Sequence, residues 1–178
     1  DEDREVRKTI EKLKRDSERH LEEMKRSAEE SRKEVDKLLK KIKDSLRRTE
    51  ERVRRLKKNN VSEEEVERLV REARENLERL REELERLERE LRANLERLRK
   101  TAEDLTRRIR ETLKELEDRG VPEEVLRELR KIVEELRKRN EDVLEEYERI
   151  LRELKERLDR VLKEYEDRLR ELEKELRD

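Results

Sequence analysis

Apolar residues recur every three, four or seven positions along nearly the whole of this chain, and only two short stretches interrupt them. In the first third they fall at Val6, Ile10, Leu13, Leu21, Met24, Ala28, Val35, Leu38, Leu39, Ile42, Leu46, Val53 and Leu56. The middle third continues through Leu69, Leu77, Leu80, Leu84, Leu87, Leu91, Leu95 and Leu98, and the last through Val125, Leu129, Ile132, Leu136, Val143, Ile150, Leu154, Val161 and Leu172. Such spacing paints one stripe along a helix. The periodicity decides what composition leaves open. With 61% charged residues and 29% apolar, the chain could be a disordered polyampholyte, but a polyampholyte has no reason to place its apolar residues regularly. One Gly and one Pro cannot supply the turns of an all-β or α/β fold. The absence of Cys removes disulfide scaffolds and Cys-based metal sites. No apolar run approaches the roughly 18 residues of a membrane span, and no signal-peptide core is present.

The two interruptions read as turns. At Lys58-Asn59-Asn60-Val61-Ser62-Glu63-Glu64-Glu65, Asn60 is expected to close a helix in the left-handed conformation. Ser62 with Glu65 has the form of a capping box, and Val61 with Val66 that of a hydrophobic staple. At Asp118-Arg119-Gly120-Val121-Pro122-Glu123-Glu124, Gly120 suits the position after a helix end and Pro122 the first turn of the next helix. Short loops place consecutive helices antiparallel. The expectation is an all-α, antiparallel three-helix bundle forming a single domain over 1–178, with helices of about 2–58, 62–118 and 122–178. The stripe is narrow, near two positions in seven, so one shared seam in a monomer uses it completely.

An 18-residue repeat runs through the helices. Asn76-Leu77-Glu78-Arg79-Leu80-Arg81 recurs as Asn94-Leu95-Glu96-Arg97-Leu98-Arg99, and the same offset links Tyr147 to Tyr165 and Ser27 to Ser45. Eighteen residues are five turns of a 3.6-residue helix, so this repeat predicts nearly straight helices with no supercoil.

Folding back at residues 60 and 120 places residue n of the first helix near 121 − n on the second and n + 120 on the third. Under this rule the uncharged polar residues fall into shared layers. Ser27 meets Asn94 and Tyr147; Ser45 meets Asn76 and Tyr165; His20 meets Thr101 and Asn140; Thr9 meets Thr112, with Leu129 as the third member. Ser17, Ser31 and Thr49 lie one turn from these layers and can join them. Hydroxyls, amides and phenols at these positions can satisfy one another across a core, and Ala28, Ala73 and Ala102 leave room for larger neighbours. Such layers favour one arrangement over wrong partners.

Catalytic and ligand-binding readings are weaker. His20 is the one titratable group on the stripe, with no second His and no Cys to share a metal. Ser17 stands at i−3 from it, but no acid orients the pair, so no enzymatic activity, metal or cofactor is expected. A small-molecule site around His20 or a Tyr layer is the alternative that a void in the core would favour. A neutral, buried His20 would lose stability as pH falls through about 6.5.

Charge separates by helix. Residues 1–58 carry a balance of +6, residues 59–121 a balance of −3 and residues 122–178 a balance of −4. Glu is interspersed throughout the basic helix and no aromatic residues accompany it, so solvated faces attracting one another outweigh nucleic-acid binding. Acidic starts at Asp1-Glu2-Asp3 and Glu63-Glu64-Glu65, and a basic end at Arg54-Arg55-Leu56-Lys57-Lys58, suit the helix dipoles. No exposed apolar face for a membrane surface is expected. No partner is expected either, and no targeting signal indicates a compartment.

Caps, the Val121-Pro122-Glu123-Glu124 turn, a Glu/Arg/Lys surface, the 18-residue recurrence and matched polar layers together resemble computationally designed, straight three-helix bundles with buried hydrogen-bond networks. The resemblance covers the whole chain and is one of style. It implies a structural scaffold with no natural biochemical function. The second reading is a designed protein–protein interaction or oligomerisation module. Natural spectrin-type repeats are the nearest biological comparison, but they usually carry core aromatics including Trp, and this chain has neither Trp nor Phe.

Overall fold

The computed structural model describes residues 2–178, with side chains from Arg4 onward, so the acidic start at Asp1-Glu2-Asp3 lies outside the described side chains. Three helices account for the fold: α1 (Glu2–Lys58), α2 (Glu63–Asp118) and α3 (Glu123–Arg177). All are within a residue of the expected bounds. The chain is an all-α three-helix bundle.

Local chemistry sets each boundary. Leaving α1, the Asn59 amide donates to the Leu56 carbonyl at 3.2 Å, which tightens the last turn. Asn60 does not take the left-handed conformation expected of it, because among the described residues only Gly120 has positive φ. The tightened turn already redirects the chain. Ser62 Oγ accepts from the Glu65 amide at 3.3 Å, the capping half of the predicted box. Val61 is half-buried against a cluster containing Val66, as a staple requires. At the second turn Gly120 has φ 75°. Its amide donates to Glu117 and the Val121 amide reaches back to Leu116, both near 3.1–3.2 Å, which is a Schellman closure. Pro122 has no amide hydrogen to leave unsatisfied, and its carbonyl accepts from Val125 and Leu126 to start α3.

The chain divides into two compact units, each taking a segment from all three helices. One comprises Asp1–Glu30 with Arg92–Ile150, and the other Ser31–Leu91 with Leu151–Asp178. In the second unit a core joins Val35, Leu38 and Ile42 of α1 to Ala73, Leu77, Leu80 and Leu84 of α2 and Leu154, Leu158, Leu162 and Leu169 of α3. Near its loop, Val53, Val66, Leu69, Val70 and Leu172 form a separate cluster. In the first unit Leu13, Leu21 and Met24 are buried, as are Leu98, Leu105 and Ile109 of α2 and Leu129, Leu136 and Ile150 of α3. Each apolar side chain withdrawn from water is worth roughly 1.5–3 kcal/mol.

Ion pairs reveal the pairing direction. In the second unit Lys41 meets Glu83 and Arg52 meets Glu72, both at 2.7 Å. Eleven residues forward on α1 are eleven back on α2, so the two segments are antiparallel. Arg74–Glu173 and Arg81–Glu166 show the same reversal between α2 and α3. Lys57–Glu175 and Glu50–Arg168 each span 118 residues, so α1 and α3 run parallel there. In the first unit Arg99 pairs with Glu148, and Glu117 with Arg130 at 2.5 Å, again antiparallel. These exposed pairs are each worth no more than about 1 kcal/mol, but they report register plainly.

Candidate functional site

The best-formed polar group in the core lies in the second unit, around Tyr165. This phenol is fully buried and sits on the stripe of Leu158, Leu162 and Leu169. Its hydroxyl lies 3.1 Å from Ser45 Oγ and 3.3 Å from Thr49 Oγ1, both one turn apart on α1. Thr49 Oγ1 donates to the Ser45 carbonyl at 3.1 Å. A hydroxyl has one proton, so Thr49 accepts from Tyr165, and Tyr165 in turn accepts from Ser45. Three hydroxyls and one carbonyl close a ring with each proton used once. Just outside it, Arg168 Nε holds Glu50 at 3.0 Å, and the hydrogen bonds to Glu50 and Glu171 raise the guanidinium pKa.

Asn76, the expected α2 member of this layer, is half-buried and enters none of these bonds. Thr49 takes its place. At the other tyrosine layer, Tyr147 is buried in the first unit, while Ser27 and Asn94 are half-buried there. Ser31, a buried polar residue of the second unit, stands one turn on from Ser27 as Thr49 does from Ser45.

The His20 layer departs further from expectation. His20 and Asn140 are both about 95% buried in the first unit, yet neither imidazole nitrogen and not the Asn140 amide oxygen has a hydrogen-bond partner. Thr101, expected beside them, is exposed and donates to the Arg97 carbonyl of its own helix at 3.0 Å. It stands next to Ala102, about 100° round the helix from the buried stripe. Burial lowers the His20 pKa, with a smaller opposing pull from Glu23. Ser17 is buried one turn away, but its hydroxyl donates to the Leu13 carbonyl at 2.7 Å. The pair therefore lacks the hydrogen bond by which a base activates a nucleophile.

Thr9 and Thr112 do not form a layer either. Each is half-buried and donates to its own helix four residues back, Thr9 to Glu5 and Thr112 to Arg108, both at 2.9 Å. A threonine with an in-helix carbonyl available needs no partner across the core. Among the described residues no group of three or more His, Cys, Asp or Glu is placed to hold a metal ion. Among the described residues no helix is long and apolar enough to cross a membrane.

No protein-family model and no curated protein matches the chain. Among solved structures it is similar to one described as a "Computationally designed three helix bundle", at 22% identity, covering 96% of this chain and 76% of that one, with a TM-score of 0.33.

Proposed function

We propose that this chain is a de novo structural scaffold: a monomeric helical bundle, without a natural substrate, whose buried polar residues hold the helices in one arrangement. The observation that carries this reading is the closed ring of Ser45, Tyr165 and Thr49, where three side chains from two helices satisfy one another inside an apolar core. A polar group so completely paired specifies geometry and offers nothing to a ligand. The 18-residue recurrence, the cap at Ser62 and the glycine turn at Gly120 agree with the same arrangement, the level-by-level consistency sought in design. Among the described residues no large apolar side chain is exposed, which supports the monomer over the interaction module. The reading includes no catalysis, and the Ser17 hydroxyl turned to its own backbone supports that part.

Light scattering over a hundredfold concentration series tests the proposal. A mass of 22.3 kDa throughout fits the scaffold. A mass that doubles or triples with concentration replaces it with the interaction module.

A further inference from the structure

From Lys37 to Lys58, α1 carries eleven cations and three carboxylates, a surplus of eight positive charges in 22 residues. Residues 1–36 carry eleven cations and thirteen carboxylates, a deficit of two. The balance of +6 over residues 1–58 is therefore an average of two unlike halves. The basic half lies wholly in the second unit. The expectation of no partner rested on whole-helix balances, which hide this segment.

Ion pairs sort these charges into spent and unspent. Lys41 and Arg52 are paired with Glu83 and Glu72 of α2, Lys57 with Glu175 of α3, and Arg47 with Asp44. Glu50 is taken by Arg168. Seven cations of the segment remain without an ion pair among the described residues, against one carboxylate, Glu51. The α1 dipole offsets only about half a charge of that surplus of six. All seven are exposed. At about 100° per residue they fall within an arc of about 140°, on the side of α1 away from the buried Val35, Leu38, Ile42 and Val53. Lys37, Arg48 and Arg55 form one edge of this crest and Lys43 and Arg54 the other. Lys40 and Lys58 run between them, and the whole spans about 32 Å. The carboxylates of α2 and α3 pair with the flanks of α1 and leave the crest unneutralised.

We infer that this crest is a binding surface for the phosphate backbone of double-stranded DNA, engaged by charge and shape without regard to base sequence. The major groove of B-DNA, about 12 Å wide, admits a helix about 10–12 Å across. The crest enters it, and the two cationic edges meet the phosphates of the two rims, releasing their counterions. A single strand would call for aromatic platforms, and both tyrosines are buried. The major groove of duplex RNA is too narrow to admit the helix. A bilayer would call for apolar groups to insert, and no large apolar side chain is exposed among the described residues. Glu51 stands on the crest among the cations and opposes the contact. The surface goes beyond the scaffold reading and does not depend on it.

The test is fluorescence anisotropy of the full chain with a labelled DNA duplex of about two helical turns. Binding is expected at about 50 mM salt, with log K falling against log salt at a slope of about −5 to −6. Lys40→Glu with Arg55→Glu should weaken binding about tenfold or more and flatten the slope by about two. Arg127→Glu with Lys131→Glu, two exposed positions of α3 in the first unit, makes the same change in net charge and should cost far less. Glu51→Lys should tighten binding severalfold, a gain that no loss of structure can imitate. No binding at about 50 mM salt, or equal losses in the two charge reversals, overturns the proposal. So does equal or tighter binding to a single strand or an RNA duplex of the same length. Stronger uptake by phosphatidylserine vesicles than by the duplex, at equal phosphate concentration, replaces it with a membrane surface. Helical content by circular dichroism, unchanged in all variants, shows that each effect is local.

Discussion

The hydroxyl of Tyr165 lies 3.1 Å from that of Ser45, across 120 residues of chain. That separation equals the offset obtained by folding the sequence at its two turns. Because Thr49 closes the ring on the far side, removing the phenol oxygen breaks two contacts at once. Tyr165→Phe should cost about 1–2 kcal/mol, the usual net value of two lost hydrogen bonds. Adding Ser45→Ala and Thr49→Val to Tyr165→Phe should recover most of that loss, since no unpaired hydroxyl then remains. Urea denaturation of the single and triple variants measures both. A neutral single variant would show that the ring contributes nothing to stability.

His20 predicts a pH dependence whose sign follows from burial. Its folded pKa lies below the ordinary 6.5, so on acidification the unfolded chain takes up the proton first. The His20 contribution is fully favourable above about pH 6.5 and declines as pH falls from there through the folded pKa. The urea midpoint should therefore drop between pH 7.5 and pH 5. In His20→Leu that part of the drop should vanish, leaving only the carboxylates to titrate at lower pH. Identical pH profiles for the two proteins would refute the buried, neutral imidazole.

Asn140 is a place where less polarity should mean more stability. A buried amide oxygen without a partner costs about 1–3 kcal/mol, and a leucine of similar size has no such group. Asn140→Leu should raise the urea midpoint, by about 1 kcal/mol or more in unfolding free energy. A lower midpoint would mean that the amide is satisfied in solution.

Gly120 separates backbone strain from crowding. A Cβ added there meets nothing within 4 Å, so the whole cost of Gly120→Ala arises from φ 75°. That cost should be about 1 kcal/mol, and Gly120→Asn should lose less because asparagine tolerates the left-handed region. Equal losses for alanine and asparagine would point away from φ as the cause.

Helix number, bounds and direction were legible in the sequence because each rests on a local rule. Ser62 caps, Gly120 takes positive φ, and the apolar spacing repeats every turn. The polar layers were legible only in part. Folding the chain back fixes the height of a residue along its helix but not its angle around it. Ser45 and Tyr165 share both, and they bond, while Thr49 reaches the same phenol from one turn further along α1. Thr101 shares a height with His20 and Asn140 but lies beside the stripe held by Leu98, Ala102 and Leu105, so it faces water. The Asn60 expectation failed for a similar reason: asparagine permits positive φ without requiring it, whereas the turn at Leu56–Asn59 makes it unnecessary.

The two α2–α3 ion pairs of the first unit have opposite polarity. Arg99 is the cation of α2 facing Glu148, whereas eighteen residues on, Glu117 is the anion of α2 facing Arg130. Many apolar positions cannot detect a slip of eighteen residues between these segments, because Leu98 repeats as Leu116, Val125 as Val143 and Leu126 as Leu144, although Leu129 recurs as Tyr147. The charges can. A slip one way sets Arg99 against Arg130, and a slip the other way sets Glu117 against Glu148. The chain thus carries a parity check on its own repeat: a misalignment that much of the core would match is one that these surface charges repel.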